Sequence, residues 1–351
     1  MKRKITLLLA ILLIIASGCV KKTTRYKAEF LSLFDTVTMI VGYSESKEDF
    51  TALAERIKDK LTEYHRLFDI YHSYEGINNI KTINDNAGIT PVKVDKELIT
   101  MLLFAKEQYY ATDGKINIAL GPVLKIWHDY RESGILDPLG AEVPPRKLLE
   151  DASGHTDIEG MIIDEEASTV YLSDPRMRLD VGAIGKGYAV ERTAQYFESE
   201  GISSLLLSVG GNVRAIGGKP GKKGMEPWNI GIKNTDQESP DAELLNVLIS
   251  GSSVVSSGSY ERYYTVDGIR YHHIIDPSTL MPATYFTSVT IICRDSGLAD
   301  ALSTAVFIMP LERGKEFVEG LDGVEALWVT SVGEVVYSEG FERFLKVDNK
   351  K

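Results

Sequence analysis

The sequence predicts an α+β protein folded as a single catalytic unit, a mixed or antiparallel sheet flanked by helices. Three observations predict it. Strand-like and helix-like stretches alternate along the chain without the strict strand–helix–strand order of a parallel sheet. No internal repeat and no linker interrupts the pattern after residue 30. At 351 residues, with 44% hydrophobic and 25% charged side chains, the chain has an ordinary globular composition and ample apolar material for one large core.

The elements follow in order. Lys2, Arg3 and Lys4 precede an apolar run from Ile5 to Ile15, which ends in Ala16-Ser17-Gly18-Cys19. That run is shorter than the roughly 20 apolar residues a membrane span needs, and its basic, apolar and small blocks stand in the order of a secretory signal. The segment resembles a bacterial lipoprotein signal, in which residues 1–18 are removed and Cys19 is lipidated; Ala16 stands where that pattern more often has Leu. This places the protein in the bacterial cell envelope, outside the cytoplasm and anchored to a membrane by its lipid. Residues 19–29 then read as the lipidated cysteine and a polar tether, and 30–345 as the folded domain.

Phe34 to Val41 reads as a strand, and Glu48 to Phe68 as a helix with Leu53, Ile57, Leu61 and Tyr64 at helical spacing. Asn78 to Gly88 is polar and Asn-rich and reads as a loop. Lys96 to Tyr110 is a second amphipathic helix, stopped by Thr112-Asp113-Gly114, and Gly134 to Pro145 is a surface excursion. Met161 to Leu172 reads as a hairpin. Met177 to Val181 reads as a strand running into a glycine-rich loop and a helix over Tyr188 to Glu200, which Gly201 stops. Ser204 to Val209 is a strand. Asp267-Gly268 makes a two-residue turn between Tyr263–Val266 and Ile269–Ile275. Ser288 to Cys293 is a buried strand, Leu298 to Met309 and Leu311 to Gly320 are helices, and Ala326 to Tyr337 is a closing hairpin.

Charge and cysteine content exclude several functions. The formal net charge of −11 argues against nucleic-acid binding, which needs clustered Lys and Arg on phosphates. With only Cys19 and Cys293, the chain has neither a disulfide framework nor a cysteine metal site, and Cys293 reads as a small core hydrophobe. There is no His-Glu-x-x-His pair and no Gly-x-Ser-x-Gly elbow, which sets aside zincins and ordinary esterases.

Four places carry chemistry. Leu179-Asp180-Val181-Gly182-Ala183-Ile184-Gly185-Lys186-Gly187-Tyr188 ends a strand in a carboxylate and opens a helix through glycines. Glycines let backbone amides approach an anion, and a helix start adds partial positive charge. Gly187 after Lys186 rules out a Walker A loop, and the glycine order rules out the dinucleotide fingerprint. A tight strand-to-helix turn with an exposed lysine fits the same residues. Second, Ser257 to Arg262 leads into the hairpin bearing His272-His273-Ile274-Ile275-Asp276-Pro277, where only one of two adjacent strand histidines can face a given site. Third, Asp300 and Thr304 are one helical turn apart with Ser303 beside them; hard oxygens on one face suit Mg²⁺, while helix capping or surface solvation is the better account of these residues taken alone. Fourth is the turn Gly210-Gly211-Asn212, weak alone.

Together and in this order, these segments resemble the ApbE family of FAD:protein FMN transferases. Phe34-Asp35-Thr36 resembles its N-terminal motif and Gly114 to Trp127 its Gly-Pro…Trp segment, with the four places above completing a series over roughly residues 30 to 340. The resemblance implies that FAD is split at its pyrophosphate, that the FMN half passes to a threonine hydroxyl of an acceptor protein, and that AMP leaves. It implies Mg²⁺ held by the Asp300 and Thr304 side chains and the Ala183 carbonyl. It implies FAD contacts from Phe34, Tyr71, Lys115, Ile116, Asn117, Asp180, Lys186 and Ile275. His273 is the implied catalytic histidine, with Asp276 orienting it or closing the strand. The implied partners are FAD and an extracytoplasmic redox protein that accepts FMN. Asn117 stands where many members have Asp, Ser303 where some have Asp, and Lys115-Ile116 replaces a small-aromatic pair. Two other readings fit the same residues: an FAD pyrophosphatase releasing FMN and AMP, and a non-catalytic flavin-binding lipoprotein.

Overall fold

The computed structural model describes residues 23–236 and 238–347; Cys19 and the signal segment lie outside them. Its centre is one eight-stranded sheet: β1 (Thr24–Leu33), β2 (Thr36–Ser44), β3 (Leu205–Val209), β4 (Asn212–Ile216), β5 (Ser253–Gly258), β6 (Phe286–Cys293), β7 (Glu325–Thr330) and β8 (Val335–Tyr337). Spatial order follows chain order, and every neighbouring pair is antiparallel. The sheet is therefore a meander with insertions between its strands. The α+β expectation holds, with the sheet antiparallel throughout.

Both faces of this sheet are buried, so its strands are apolar on successive residues rather than on alternate ones. Leu205, Leu207 and Val209 face a helical layer while Leu206 faces the other way, and Ile291 and Ile292 divide likewise. The helical layer contains α1 (Lys47–Phe68), α6 (Gly185–Ser199) and α7 (Ser296–Ile308). On α1, Phe50, Ala54, Ile57, Leu61, Tyr64 and Phe68 form the buried stripe, and Ser46 caps the start by accepting the Asp49 amide at 3.0 Å. The opposite face is covered by a hairpin of strands Trp228–Lys233 and Glu243–Ile249, through Trp228, Ile230, Ile232, Val247 and Ile249. Burying one such side chain contributes about 1.5–3 kcal/mol, which makes these two layers the main source of stability.

Between β2 and β3 the chain inserts a helical lobe: α2 (Ile80–Asp85), α3 (Lys96–Ala111), α4 (Gly121–Leu136) and α5 (Arg146–Ser153). Trp127, Val123 and Leu149 of this lobe pack with Tyr264, Ile275 and Leu280 from the segment after β5, forming a third apolar cluster. The last helix, α8, spans Leu311–Glu319.

Several expectations are corrected. Residues 24–29, assigned to a tether, are strand: β1 begins at Thr24 and pairs with Ser44. The Asn-rich loop at 78–88 contains α2, because Asn79 closes a capping box with Thr82 and Ile80 and Ile83 are buried. Met177–Val181 has the alternating burial of a strand but joins no ladder. Its Leu179 amide donates to Asn84 Oδ1 at 2.7 Å, and Asn84 Nδ2 donates back to the Leu179 carbonyl at 2.9 Å. One side-chain amide thus takes the place of a neighbouring strand. The first residues of the expected excursion at Gly134–Pro145 complete α4. The strand expected over Ile269–Ile275 ends at His272, and Ile275–Asp276 pairs instead with Met281–Pro282.

Candidate active site at the sheet end

Three tight turns meet at one end of the sheet. Phe34-Asp35 joins β1 to β2 and Gly210-Gly211 joins β3 to β4. Gly210 lies so close to Thr36 that a Cβ there would sit 2.8 Å from its side chain, and it has φ +53°, so glycine serves here for both reasons. Beside them, β5 runs out through Ser257 and Gly258. The third turn, Gly182-Ala183-Ile184, leads into α6 at Gly185.

Helices α6 and α7 touch backbone to backbone where they reach this end. A Cβ on Gly187 would lie 2.3 Å from the Ser296 carbonyl oxygen and 2.4 Å from Asp300 Cβ. This approach lets the Gly187 amide donate to Asp300 Oδ2 at 2.8 Å. Asp300 is 4% exposed. Burial raises its carboxyl above the usual range, while Lys186, the Gly187 amide and the Asn212 side chain pull the other way. Ser257 bridges β5 to α7 through Ser303 Oγ at 2.8 Å and Thr304 Oγ1 at 3.3 Å. Among the described residues no three His, Cys, Asp or Glu side chains form a metal cluster. What stands here is one buried carboxylate with neighbouring hydroxyls, a set of hard oxygens that suits Mg²⁺ when phosphate oxygens complete its shell.

Lys186, in the first turn of α6, is the electrostatic hub. Its charge reaches Asp180, Asp300 and His273. Asp180 accepts the Gly182 amide at 2.9 Å, and its carboxyl is raised first by burial, against the opposing charges of His128, Lys186 and Arg178. Tyr71 lies within the field of Asp180, Arg131, Arg262 and Asp35; burial, then Asp180, raises its hydroxyl.

His273 is set by geometry. Its Nδ1 and its backbone amide both face the Arg262 carbonyl, at 3.2 and 3.1 Å. A carbonyl oxygen only accepts, so Nδ1 carries the proton and Nε2 keeps its lone pair. Burial, followed by the Arg262 charge, pushes this imidazole down to about 3. The neighbouring His272 is turned away, bonding the Ala283 carbonyl through Nε2 at 2.7 Å.

The sequence-derived site residues therefore divide. Asp180, Ala183, Lys186, His273, Asp300 and Thr304 are brought together, with Tyr71 and the Phe34 turn beside them. Lys115 reaches the second group, donating to Asp276 at 3.1 Å and Ser278 at 3.0 Å; Asp276 is thus engaged by Lys115 rather than by His273. Ile275 and Ile116 are core residues. Asn117 is consumed by the fold, capping residues 118–120 through the Ala119 amide at 2.8 Å and donating to the Thr156 carbonyl at 2.9 Å. Asn84 escaped the sequence reading, and Ser257, Asn212 and Arg262 entered it only as members of motifs without their partners, because those partners are distant in the chain. A groove of about 460 Å³ lined by Lys60, Tyr64, Arg66, Lys93 and Glu97 holds none of these groups.

Fold and site together define an α+β protein with a cluster of buried carboxylate, hydroxyl, lysine and imidazole groups at the end of an antiparallel sheet. The ApbE family profile matches residues 34–328, and the chain belongs to that family. An FAD:protein FMN transferase of Klebsiella pneumoniae (strain 342) is 32% identical over 290 residues, 82% of this chain and 85% of its own length. One of Treponema pallidum (strain Nichols) is 35% identical over 265 residues, 71% of this chain and 70% of its own. The crystal structure of the ApbE protein of Thermotoga maritima MSB8 superposes with a TM-score of 0.79 at 32% identity, covering 92% of this chain and all of that one.

Proposed function

We propose that this chain is an FAD:protein FMN transferase that moves the FMN half of FAD to a threonine hydroxyl of an acceptor protein. The threonine oxygen attacks the flavin-side phosphorus, a new P–O bond forms, the bond to the AMP phosphate breaks, and AMP leaves with its electron pair. The observation that carries this reading is the convergence of Lys186, Asp180, Asp300 and His273 on one glycine-rich turn. A pyrophosphate needs positive charge and backbone donors, and a hydroxyl nucleophile needs a proton acceptor.

Each residue then has a defined task. The Lys186 ammonium, with the partial positive charge of the α6 start, neutralises phosphate oxygens. The Nε2 lone pair of His273 accepts the threonine proton, its ring held by the Arg262 carbonyl. Its low proton affinity keeps it neutral at working pH; an incoming pyrophosphate offsets the Arg262 and Lys186 charges and raises that affinity in the complex. Mg²⁺, held by Asp300, Thr304 and the Ala183 carbonyl, would supply charge neutralisation at the pyrophosphate. Phe34 and Tyr71 form the aromatic side of the cleft.

The test is mass spectrometry after incubating the mature protein with FAD and Mg²⁺, with and without a candidate acceptor. An acceptor gaining the mass of FMN, AMP release, and loss of both with EDTA are the expected results. FMN and AMP in both samples without an adduct would make the chain a pyrophosphatase, and intact FAD throughout would leave a binding protein. The signal-like segment supports lipidation at Cys19 and an envelope location facing extracytoplasmic redox partners. Cys19→Ser should release the protein from the membrane fraction; retention there would refute the anchor.

A further inference from the structure

The turn between β1 and β2 is built from residues that do not favour it. Phe34 and Asp35 both have φ +53°, so two side-chain-bearing residues occupy the left-handed conformation that two-residue hairpins usually give to Asn-Gly. For a bulky residue such as Phe this is a strained state, and strain persists only where surroundings enforce it. The enforcing group is His65, in the last turn of α1. Its Nδ1 accepts the Phe34 amide at 3.2 Å, and its ring meets the Phe34 ring edge-on at 5.4 Å. Nδ1 acts here as the acceptor of the Phe34 amide proton.

The same imidazole faces the loop that carries Tyr71. His65 packs against Tyr74 at 6.5 Å, and the Tyr74 hydroxyl donates to Asp69 at 2.7 Å. Asp69 also accepts the Tyr71 amide at 2.6 Å and the His72 amide at 3.0 Å. One side chain thus touches the strained Phe34 turn on one side and the Asp69-centred loop on the other. We infer that His65 is a positioning residue for FAD: its Nδ1 holds the left-handed Phe34-Asp35 turn so that Phe34 and Tyr71 face one another across the flavin side of the cleft. The inference rests on the flavin reading above, and no His65 atom touches the reacting groups.

Three measurements on the whole mature protein test it: FAD affinity by flavin fluorescence, amide exchange of the peptide containing Phe34, and steady-state transfer. His65→Ala should weaken FAD binding by about five- to tenfold, the range one lost hydrogen bond carries, and raise KM for FAD with kcat within about twofold. Exchange at the Phe34 amide should accelerate whether or not FAD is present. His65→Asn, which returns an acceptor at the same distance from the backbone, should recover most of the affinity. Unchanged affinity and exchange in His65→Ala would overturn the inference. So would His65→Asn behaving like His65→Ala, since the ring and not its acceptor would then matter. Absence of FAD binding by the unaltered protein would refute the flavin reading instead, and the exchange comparison would still decide the lock on Phe34.

Discussion

Replacing Gly187 by alanine tests whether the contact between α6 and α7 sets the site. The added Cβ would fall 2.3 Å from the Ser296 carbonyl oxygen and 2.4 Å from Asp300 Cβ, where ordinary contact begins near 3.4 Å. The helices must therefore separate by roughly 1 Å, and one of the two obstructing atoms is backbone, which cannot swing away. Overpacking of this kind costs about 1–3 kcal/mol. At roughly 2–4 °C per kcal/mol for a large domain, the melting midpoint should fall by several degrees. The functional loss should exceed the stability loss. The Gly187 amide bond to Asp300 at 2.8 Å lies at the contact, and about 1 Å of misplacement costs on the order of 100-fold in rate. The assay is a thermal melt beside the rate of FMN transfer at saturating FAD. Gly154→Ala is the control, because its Cβ would meet only the Asp151 carbonyl oxygen, at 3.4 Å, and its φ is an ordinary −64°. If Gly187→Ala melted and turned over like the Gly154 variant, the helix contact would not be what positions Asp300.

The remaining predictions concern single contacts. Asn84→Ala leaves both the amide and carbonyl of Leu179 without their partner, so calorimetry should show a loss of about 2–4 kcal/mol; a loss under 1 kcal/mol would mean water replaces the side chain. Arg262→Gln removes one charge that depresses His273, though burial, the larger cause, stays. With His273 as the proposed proton acceptor, its neutral form is the active one, so activity should fall as pH drops through its folded value. That acid limb should move to higher pH in the variant, and a profile unchanged from the parent would refute the assigned coupling. Asp300→Asn should abolish Mg²⁺-dependent transfer yet leave the metal-free melt unchanged or higher, because a buried carboxylate with a raised pKa opposes folding once ionised. A lower midpoint would show that the carboxylate is chiefly structural.

Local order was legible wherever a residue's partners lie within a few positions. The periodic stripe of α1, the Asp267-Gly268 turn and the glycines before α6 each announce themselves through spacing or backbone freedom. The same locality explains the errors. The alternation in Met177–Val181 is real, but a ladder needs a neighbouring strand, and Asn84 supplies the bonds instead. The polar run at 78–88 hid a helix because Asn79, read as a loop former, acts as a cap.

The sequence alone determined the helix-flanked α+β class, with a mixed or antiparallel sheet, and the identities of the charged and hydroxyl groups, since apolar periodicity and turn chemistry are properties of short segments. Only the tertiary structure decided which of those groups meet. Lys186 and Asp300 are neighbours because Gly187 lets two helices touch. His273 presents a free Nε2 because a carbonyl 11 residues away claims Nδ1. Asn117 is spent on a cap and Asp276 on Lys115, while His65, with no motif to mark it, holds the turn that carries Phe34. The physical reason is common to all of them. Packing and hydrogen-bond satisfaction are settled between segments distant in the chain, so a residue's chemical freedom depends on which neighbours the fold has already given it.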